Sequence, residues 1–190
     1  EYPAEVPAFG STFASLGFLD QKGSTALPET MLTMPGAIEG FRLGGPTTAL
    51  RVVQIEEERY AIRLGNSDVS QEFPASYDGF AVFTLDLNAD GRDEVLVESG
   101  FGRGTDVYQR RLAAYRVVDG DFKTIFDATL NNYFAVAGEI FPGGWARRYR
   151  LMQDTASQQI EIVLVLEVPA TPVSTPDADA QLVMSRREMR

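Results

Sequence analysis

From Leu50 onward, apolar and polar residues alternate over short stretches, with the two-residue period that is typical of β-strands. Phe83 and Leu85 fall on one face of an extended segment, and a second apolar segment begins at Val95, so we expect the two segments to pair. The same pattern predicts further strands over residues 50–55, 60–64, 108–118, 122–126, 145–152, 158–168 and 181–189. The chain is therefore predicted to be all-β and built from antiparallel hairpins.

Turn-forming residues separate the predicted strands. Asp119-Gly120 stands between two of them, and this dipeptide readily supplies the positive φ angles of a tight hairpin turn. The acidic run at 56–58 is predicted to be a second turn, with a short helix over 56–64 as the alternative.

The first 47 residues show neither helical nor strand periodicity. They contain repeated glycines and five prolines, namely Pro3, Pro7, Pro28, Pro35 and Pro46. Residues 1–47 are therefore predicted to be an irregular N-terminal arm, and residues 48–190 a single β-rich domain. Similar segments at 114–117 and 148–151 suggest repeated blades of sheet, although too few residues remain for a closed propeller. The expected architecture is an open propeller-like meander or a sandwich.

Composition removes several classes of enzyme. The 190 residues are 44% apolar, which is enough to bury a core, and they include neither histidine nor cysteine. Catalytic triads, thiol nucleophiles, histidine- or cysteine-based zinc sites and disulfides each need an imidazole or a sulfur. Calcium, which is bound by oxygen ligands, is compatible with this composition.

Charge and hydropathy restrict the partners and the compartment. The formal charge is -10, and an acidic surface repels nucleic acid, so no nucleic-acid partner is expected. No stretch reaches the roughly 18 to 20 apolar residues of a bilayer span, so we expect no transmembrane segment. The chain opens with Glu1 instead of methionine, which fits either removal of a leader or trimming of a longer chain. On the first alternative we expect a periplasmic or extracellular location.

The most specific motif is the nine-residue segment 86–94, Asp-Leu-Asn-Ala-Asp-Gly-Arg-Asp-Glu, between two predicted strands. Its oxygen-bearing side chains recur at alternate positions, as in loops that wrap calcium. The glycine after the third such residue permits a sharp turn. The predicted metal ligands are Asp86, Asn88, Asp90, the main-chain carbonyl of Arg92, and Glu94.

Other interpretations of this segment remain open. An EF-hand needs a glutamate at the twelfth position, which is Val97 here, so that motif is excluded. A metal-free acidic turn is the alternative, but crowded carboxylates repel one another unless a cation neutralises them. Magnesium is a poorer match than calcium because it keeps several water ligands.

The segment resembles the FG-GAP and VCBS-type repeats, including the calcium loops of integrin α-chain propellers. Their pattern is Asp-x-Asp/Asn-x-Asp-Gly-x-x-Asp followed by an apolar strand, and the resemblance covers residues 80–126. It implies the same five ligands and a bound Ca²⁺. Two departures are evident: Glu94 stands where the family more often has aspartate, and the chain has one such loop where propellers carry several.

A second candidate site is basic. If the last strand lies beside strand 145–152, six arginines form one stripe: Arg147, Arg148, Arg150, Arg186, Arg187 and Arg190. We interpret the stripe as a surface for a protein partner, with solvated strand faces and pairing to Glu161 or Glu167 as the alternative.

Together these features predict a non-catalytic, calcium-stabilised binding or structural module of an exported protein. Docking on a protein partner, within a larger and membrane-associated assembly, is a further expectation. The alternative is a carbohydrate-active enzyme or a sugar-binding accessory domain that uses Trp145 and paired acids.

Overall fold

The computed structural model describes residues 30–45, 47–76, 79–103, 107–136, 139–140, 145–154, 156–169 and 184–189. These residues form fourteen strands: β1 (Met31–Leu32), β2 (Gly36–Phe41), β3 (Thr48–Glu56), β4 (Arg59–Leu64), β5 (Ser70–Pro74), β6 (Phe80–Leu85), β7 (Glu94–Arg103), β8 (Val107–Val118), β9 (Asp121–Thr129), β10 (Asn131–Val136), β11 (Glu139–Ile140), β12 (Trp145–Gln153), β13 (Ile160–Pro169) and β14 (Met184–Met189). All strand pairings are antiparallel, and the described residues contain no helix. The predicted all-β, antiparallel fold is confirmed.

The predicted hairpins are also confirmed, since β3 pairs with β4, β6 with β7, β8 with β9, and β12 with β13. Asp119 and Gly120 have φ angles of 53° and 83°, the positive values that the Asp-Gly turn predicts. The alternative helix over 56–64 is wrong. Ile62 and Leu64 are buried two residues apart on β4, which is the strand period.

The prediction of an irregular arm is wrong at residues 31–32 and 36–41, which form strands. β1 pairs with β6 at Met31↔Phe83, and β2 pairs with β3 at Ile38↔Leu50. Gly40, with a φ of 78°, lies at a register shift in β2, and this interruption hides the two-residue period from the sequence. Residues 1–29 of the predicted arm lie outside the described residues.

The strands form two sheets. The smaller sheet is a meander in the order β2-β3-β4-β5. The larger sheet has the order β1-β6-β7-β8-β10-β12-β13-β14, with β9 also paired to β8 and β11 to β10. The predicted architectures are an open propeller-like meander and a sandwich. The two layered sheets correspond to the sandwich.

The central strands of the larger sheet are covered on both faces. Val82 and Val95 belong to a hydrophobic cluster shared with the smaller sheet, which contributes Ile62 among others. Phe83 and Leu96, the next residues along these strands, pack in a second cluster that contains Leu151 of β12. β6 and β7 are therefore buried on both sides, which gives a rigid base to the loop that joins them.

Candidate functional site

The segment 86–93 joins β6 to β7, as predicted, and the Asp86 carboxylate organises it. Asp86 Oδ1 accepts the backbone N–H of Asp90 at 3.0 Å, and Oδ2 accepts that of Gly91 at 2.8 Å. Gly91 has a φ of 80°, so the sharp turn predicted at this glycine is confirmed. Ala89 adopts a φ of 59°, which is uncommon for a residue with a Cβ atom.

The other oxygens of the turn come from Asp90 and Asn88. Asp90 Oδ1 accepts the backbone N–H of Arg92 at 2.9 Å, and Oδ2 accepts the Asn88 Nδ2–H at 2.8 Å. The hydrogen bond from Asn88 lowers the pKa of Asp90, which stays ionised at neutral pH. Asn88 Oδ1 is shielded from solvent and accepts no hydrogen bond within the described part of the chain.

Glu94, the predicted fifth ligand, is fully buried and has two protein partners. Its Oε2 accepts the backbone N–H of Leu87 at 2.7 Å, which ties the end of the loop to its beginning. Its Oε1 accepts hydrogen bonds from the Arg116 guanidinium on β8, with Nη2 at 2.6 Å and Nε at 2.8 Å. Glu94 therefore already has a cation beside it.

Arg42, which follows β2, is the second cation at the loop. Its backbone N–H donates to Asp93 Oδ2 at 2.8 Å, while its Nε and Nη2 donate to Oδ1 at 2.9 and 2.6 Å. The same Nη2 lies 3.9 Å from Asp86 Oδ2. Two arginines thus relieve part of the carboxylate repulsion that the sequence argument assigned to a metal ion alone.

These contacts define which oxygens could hold a cation. Within the described residues, no group of three or more acidic side chains converges closely enough to form a metal site. Four of the five predicted ligands belong to this turn and offer oxygen types that a hard cation prefers, namely the carboxylates of Asp86 and Asp90, the solvent-shielded Asn88 Oδ1, and the main-chain carbonyl of Arg92. This set combines two carboxylates with two neutral oxygens.

The topology separates the predicted arginine stripe. β14 pairs with β13 rather than with β12, so the condition on which a single stripe depended is wrong. Two strand spacings, about 10 Å, separate β12 from β14. On β12, Arg147 is opposite Leu166 of β13, Arg148 is opposite Val165, and Arg150 is opposite Val163. On β14, Arg186 is opposite Glu167 and Arg187 is opposite Leu166. Arg190 and the side chain of Trp145 lie outside the described part of the chain.

Sequence reasoning missed a buried charged group. The Glu98 carboxylate on β7 is fully buried and forms an ion pair with Arg110 of β8, which is only 5% exposed. The Tyr149 hydroxyl of β12 donates to Glu98 Oε2 at 2.8 Å, and burial raises the pKa of Tyr149. Asn131 Oδ1 accepts the backbone N–H of Arg110 at 2.7 Å. The one signal in the sequence is that this acidic residue directly follows the apolar run 95–97 on the same predicted strand.

An open cleft lies away from the acidic loop, between the smaller sheet and β7. Its volume is about 420 Å³. The lining combines three carboxylates with one guanidinium and apolar rings: Glu57, Glu58, Glu72, Arg59, Phe73, Pro74 and Phe101. Arg59 pairs with Glu56 and Glu72, and these contacts raise the pKa of Arg59.

The fold and the loop define an all-β protein of layered antiparallel sheets with an acidic connection between two central strands. In comparisons with protein-family models, curated proteins and solved structures, none matches this chain. Among the residues that the structure describes, no helix is long and apolar enough to cross a membrane.

Proposed function

We propose that the protein is a non-catalytic binding or structural module whose loop at 86–94 is stabilised by Ca²⁺. The observation that supports this most is Asn88 Oδ1, a solvent-shielded oxygen with no hydrogen-bond donor among the described residues, in the same side-chain amide that donates to the carboxylate of Asp90. A buried acceptor without a partner costs free energy, which a coordinated cation would offset. The resemblance to FG-GAP and VCBS-type calcium loops supports the same proposal.

The proposed ligands are Asp86, Asn88, Asp90 and the Arg92 carbonyl. A carboxylate offers about four lone-pair sites, so an oxygen that accepts an N–H can also coordinate an ion. Glu94 differs from these ligands because it is fully buried and its Oε1 is already paired with the Arg116 guanidinium, so it would instead anchor the loop through the Leu87 amide. With two carboxylates, we expect weak binding, with a Kd on the order of 10⁻⁴ to 10⁻³ M.

Two substitutions at Asn88 test the proposal, because one should strengthen Ca²⁺ binding and the other should weaken it. Asn88→Asp adds a third carboxylate and should tighten Ca²⁺ binding, while it should destabilise the calcium-free protein through repulsion. Asn88→Ala removes the shielded oxygen and should weaken binding about tenfold or more. Calorimetric titration with Ca²⁺, and thermal melts with Ca²⁺ or with chelator, measure both effects.

The matched control is Asp68→Asn, which alters an exposed acidic residue in another turn. It should leave the calcium response unchanged. The proposal is abandoned if Ca²⁺ at about ten millimolar, well above the expected Kd, raises the melting temperature of the wild-type protein no more than Mg²⁺ does.

The proposed setting is an exported protein that docks on a protein partner, in an assembly that includes membrane-associated chains. The arginines of β12 and β14 would supply the docking surface. The register places Arg148 opposite Val165 and Arg186 opposite Glu167, two positions apart on β13 and so on one face of the sheet. Charge reversal at Arg148 and Arg186 should then dissociate the native complex during size-exclusion chromatography. Recovery of the protein in the periplasmic or extracellular fraction of its source would agree with export, and recovery in the cytosol would contradict it.

One observation favours the alternative, a sugar-binding or carbohydrate-active domain. The open cleft carries the acids Glu57, Glu58 and Glu72 beside the ring of Phe101, a combination that sugar sites use. Binding to an oligosaccharide panel, abolished by Glu57→Gln, would support this alternative. Absence of both binding and reducing-sugar release would remove it.

A further inference from the structure

Two arginines stand directly opposite each other on neighbouring strands of the smaller sheet. The register of β3 and β4 pairs Arg51 with Arg63, and Arg63 is in turn opposite Ser70 of β5. Directly opposite residues in an antiparallel pair have Cβ atoms about 4.5 to 5.5 Å apart. The flanking Leu50 and Val52 are buried in the core, so Arg51 projects from the outer face of the sheet.

Neither arginine has an acidic partner among the residues that the structure describes. Within the described residues, Arg51 and Arg63 make no ion pair and no side-chain hydrogen bond, and Arg63 Nε is shielded from solvent without an acceptor. Two acids lie nearby in the register. Glu72 is opposite Ala61, and its carboxylate is bound to Arg59. Glu39 is two residues beyond Ala37, the β2 partner of Arg51, and forms no ion pair among the described residues.

This arrangement is costly without a ligand. Like charges directly opposite in a sheet repel, and a shielded guanidinium N–H without an acceptor loses hydration. An anion between the two side chains would replace the repulsion with attraction, and it would accept a hydrogen bond from the shielded N–H. No acidic side chain of the described residues forms an ion pair with either arginine.

From this juxtaposition we infer that Arg51 and Arg63, with the hydroxyl of Ser70 on the same cross-strand row, bind a phosphate group. Two guanidinium groups match the two charges of a phosphate dianion, and each can donate a pair of parallel hydrogen bonds to its oxygens. The phosphate belongs either to inorganic phosphate or to a phosphate monoester. This site does not involve the 86–94 loop, so it stands independently of calcium binding.

The test is a phosphate titration at constant ionic strength, followed by calorimetry and by thermal melts, with NaCl as the ionic control. We expect saturable binding with a Kd in the millimolar range, typical of a solvent-open pair of charged hydrogen bonds. Arg51→Gln should weaken binding at least tenfold. The same variant should melt at an equal or higher temperature than the wild type without phosphate, because it removes the repulsion.

Arg51 is exposed, so its replacement should not impair folding even if Arg63→Gln does. Arg51→Lys keeps the charge but not the paired hydrogen bonds and should retain intermediate affinity. The matched control is Lys123→Gln, which removes one exposed charge from β9 and should leave phosphate binding unchanged.

Titration with glycerol 3-phosphate distinguishes the two sources. Tighter binding than inorganic phosphate assigns the site to a monoester, and equal or weaker binding assigns it to the free ion. The inference is overturned if neither phosphate compound binds more than NaCl at matched ionic strength. It is equally overturned if Lys123→Gln and Arg51→Gln weaken binding to the same extent.

Discussion

The hydroxyl of Tyr149 on β12 donates a hydrogen bond to the buried carboxylate of Glu98 on β7, across 51 positions of sequence. Arg110 holds the other oxygen of the same carboxylate. The contact therefore joins β12 to the central strands through a charge that the core would otherwise exclude. A buried carboxylate in this position needs both partners.

Tyr149→Phe is expected to destabilise the protein by about 2 kcal/mol, because it leaves one acceptor of a buried, ionised group unsatisfied. For a chain of this size that corresponds to a fall in melting temperature of roughly 4 to 8 °C. Urea denaturation and thermal melts measure both quantities. Tyr115→Phe is the matched control, since the Tyr115 hydroxyl makes no hydrogen bond within the described residues, and it should change stability little. A nearly neutral Tyr149→Phe would show that the contact does not hold β12 in place.

Asp93→Asn should cost about 2 kcal/mol and loosen the acidic loop. The change breaks the paired hydrogen bonds to Arg42, which are charge-assisted and partly shielded from solvent. Hydrogen exchange at the Asp93 amide, which donates to the Arg42 carbonyl at 2.8 Å, should accelerate. Asp121→Asn removes an exposed acid 3.7 Å from Lys123 and should cost less than about 0.5 kcal/mol. Equal effects of the two variants would contradict this account of the loop.

Backbone conformation in the loop predicts opposite responses at two neighbouring positions. Gly91→Ala should cost about 1 kcal/mol, because the φ of 80° disfavours a Cβ atom although no atom lies within 4 Å of it. Ala89→Gly should be neutral or slightly stabilising, since relief of a φ of 59° offsets the greater freedom of the unfolded chain. Gly45→Ala also meets open space but lacks a positive φ, and it should stabilise by about 0.4 to 1 kcal/mol. Denaturant midpoints for the three variants give the comparison, and a Gly91→Ala protein as stable as Gly45→Ala would refute it.

Acid should destabilise the protein partly through Asp127. A hydrogen bond from the Arg111 guanidinium lowers the pKa of Asp127 in the folded state. A carboxyl group with a lowered folded pKa contributes stability above its unfolded value of about 3.9 and loses that contribution as pH falls through the folded value. Asp127→Asn should therefore be less stable than the wild type at pH 7, and the difference should shrink below about pH 4. Urea titrations at pH 7, 5, 4 and 3 measure this difference in stability. If the difference does not change with pH, the ion pair between Arg111 and Asp127 is not a source of the acid sensitivity.

The prediction of strands succeeded at β3, where buried Leu50 and Val52 flank the exposed Arg51, and Asp119-Gly120 encodes its own turn. It missed β5, which is short and has Phe73 as its one buried residue. β2 escaped prediction because Gly40 and a register shift interrupt its alternation. In the acidic loop, the turn at Gly91 was predictable from local chemistry. The roles of Arg42 and Arg116 were not, since each lies more than 20 residues from the carboxylate that it binds.

The amino-acid sequence by itself determined the all-β class, the hairpin turns and the position of the acidic loop, because periodicity and turn chemistry act between near neighbours. Only the tertiary structure decided which charges meet. It assigned Arg116 to Glu94, Arg110 to Glu98, and Arg51 to a position opposite Arg63. These pairings depend on strand order and register, which are set by how the sheets bury their apolar faces against one another.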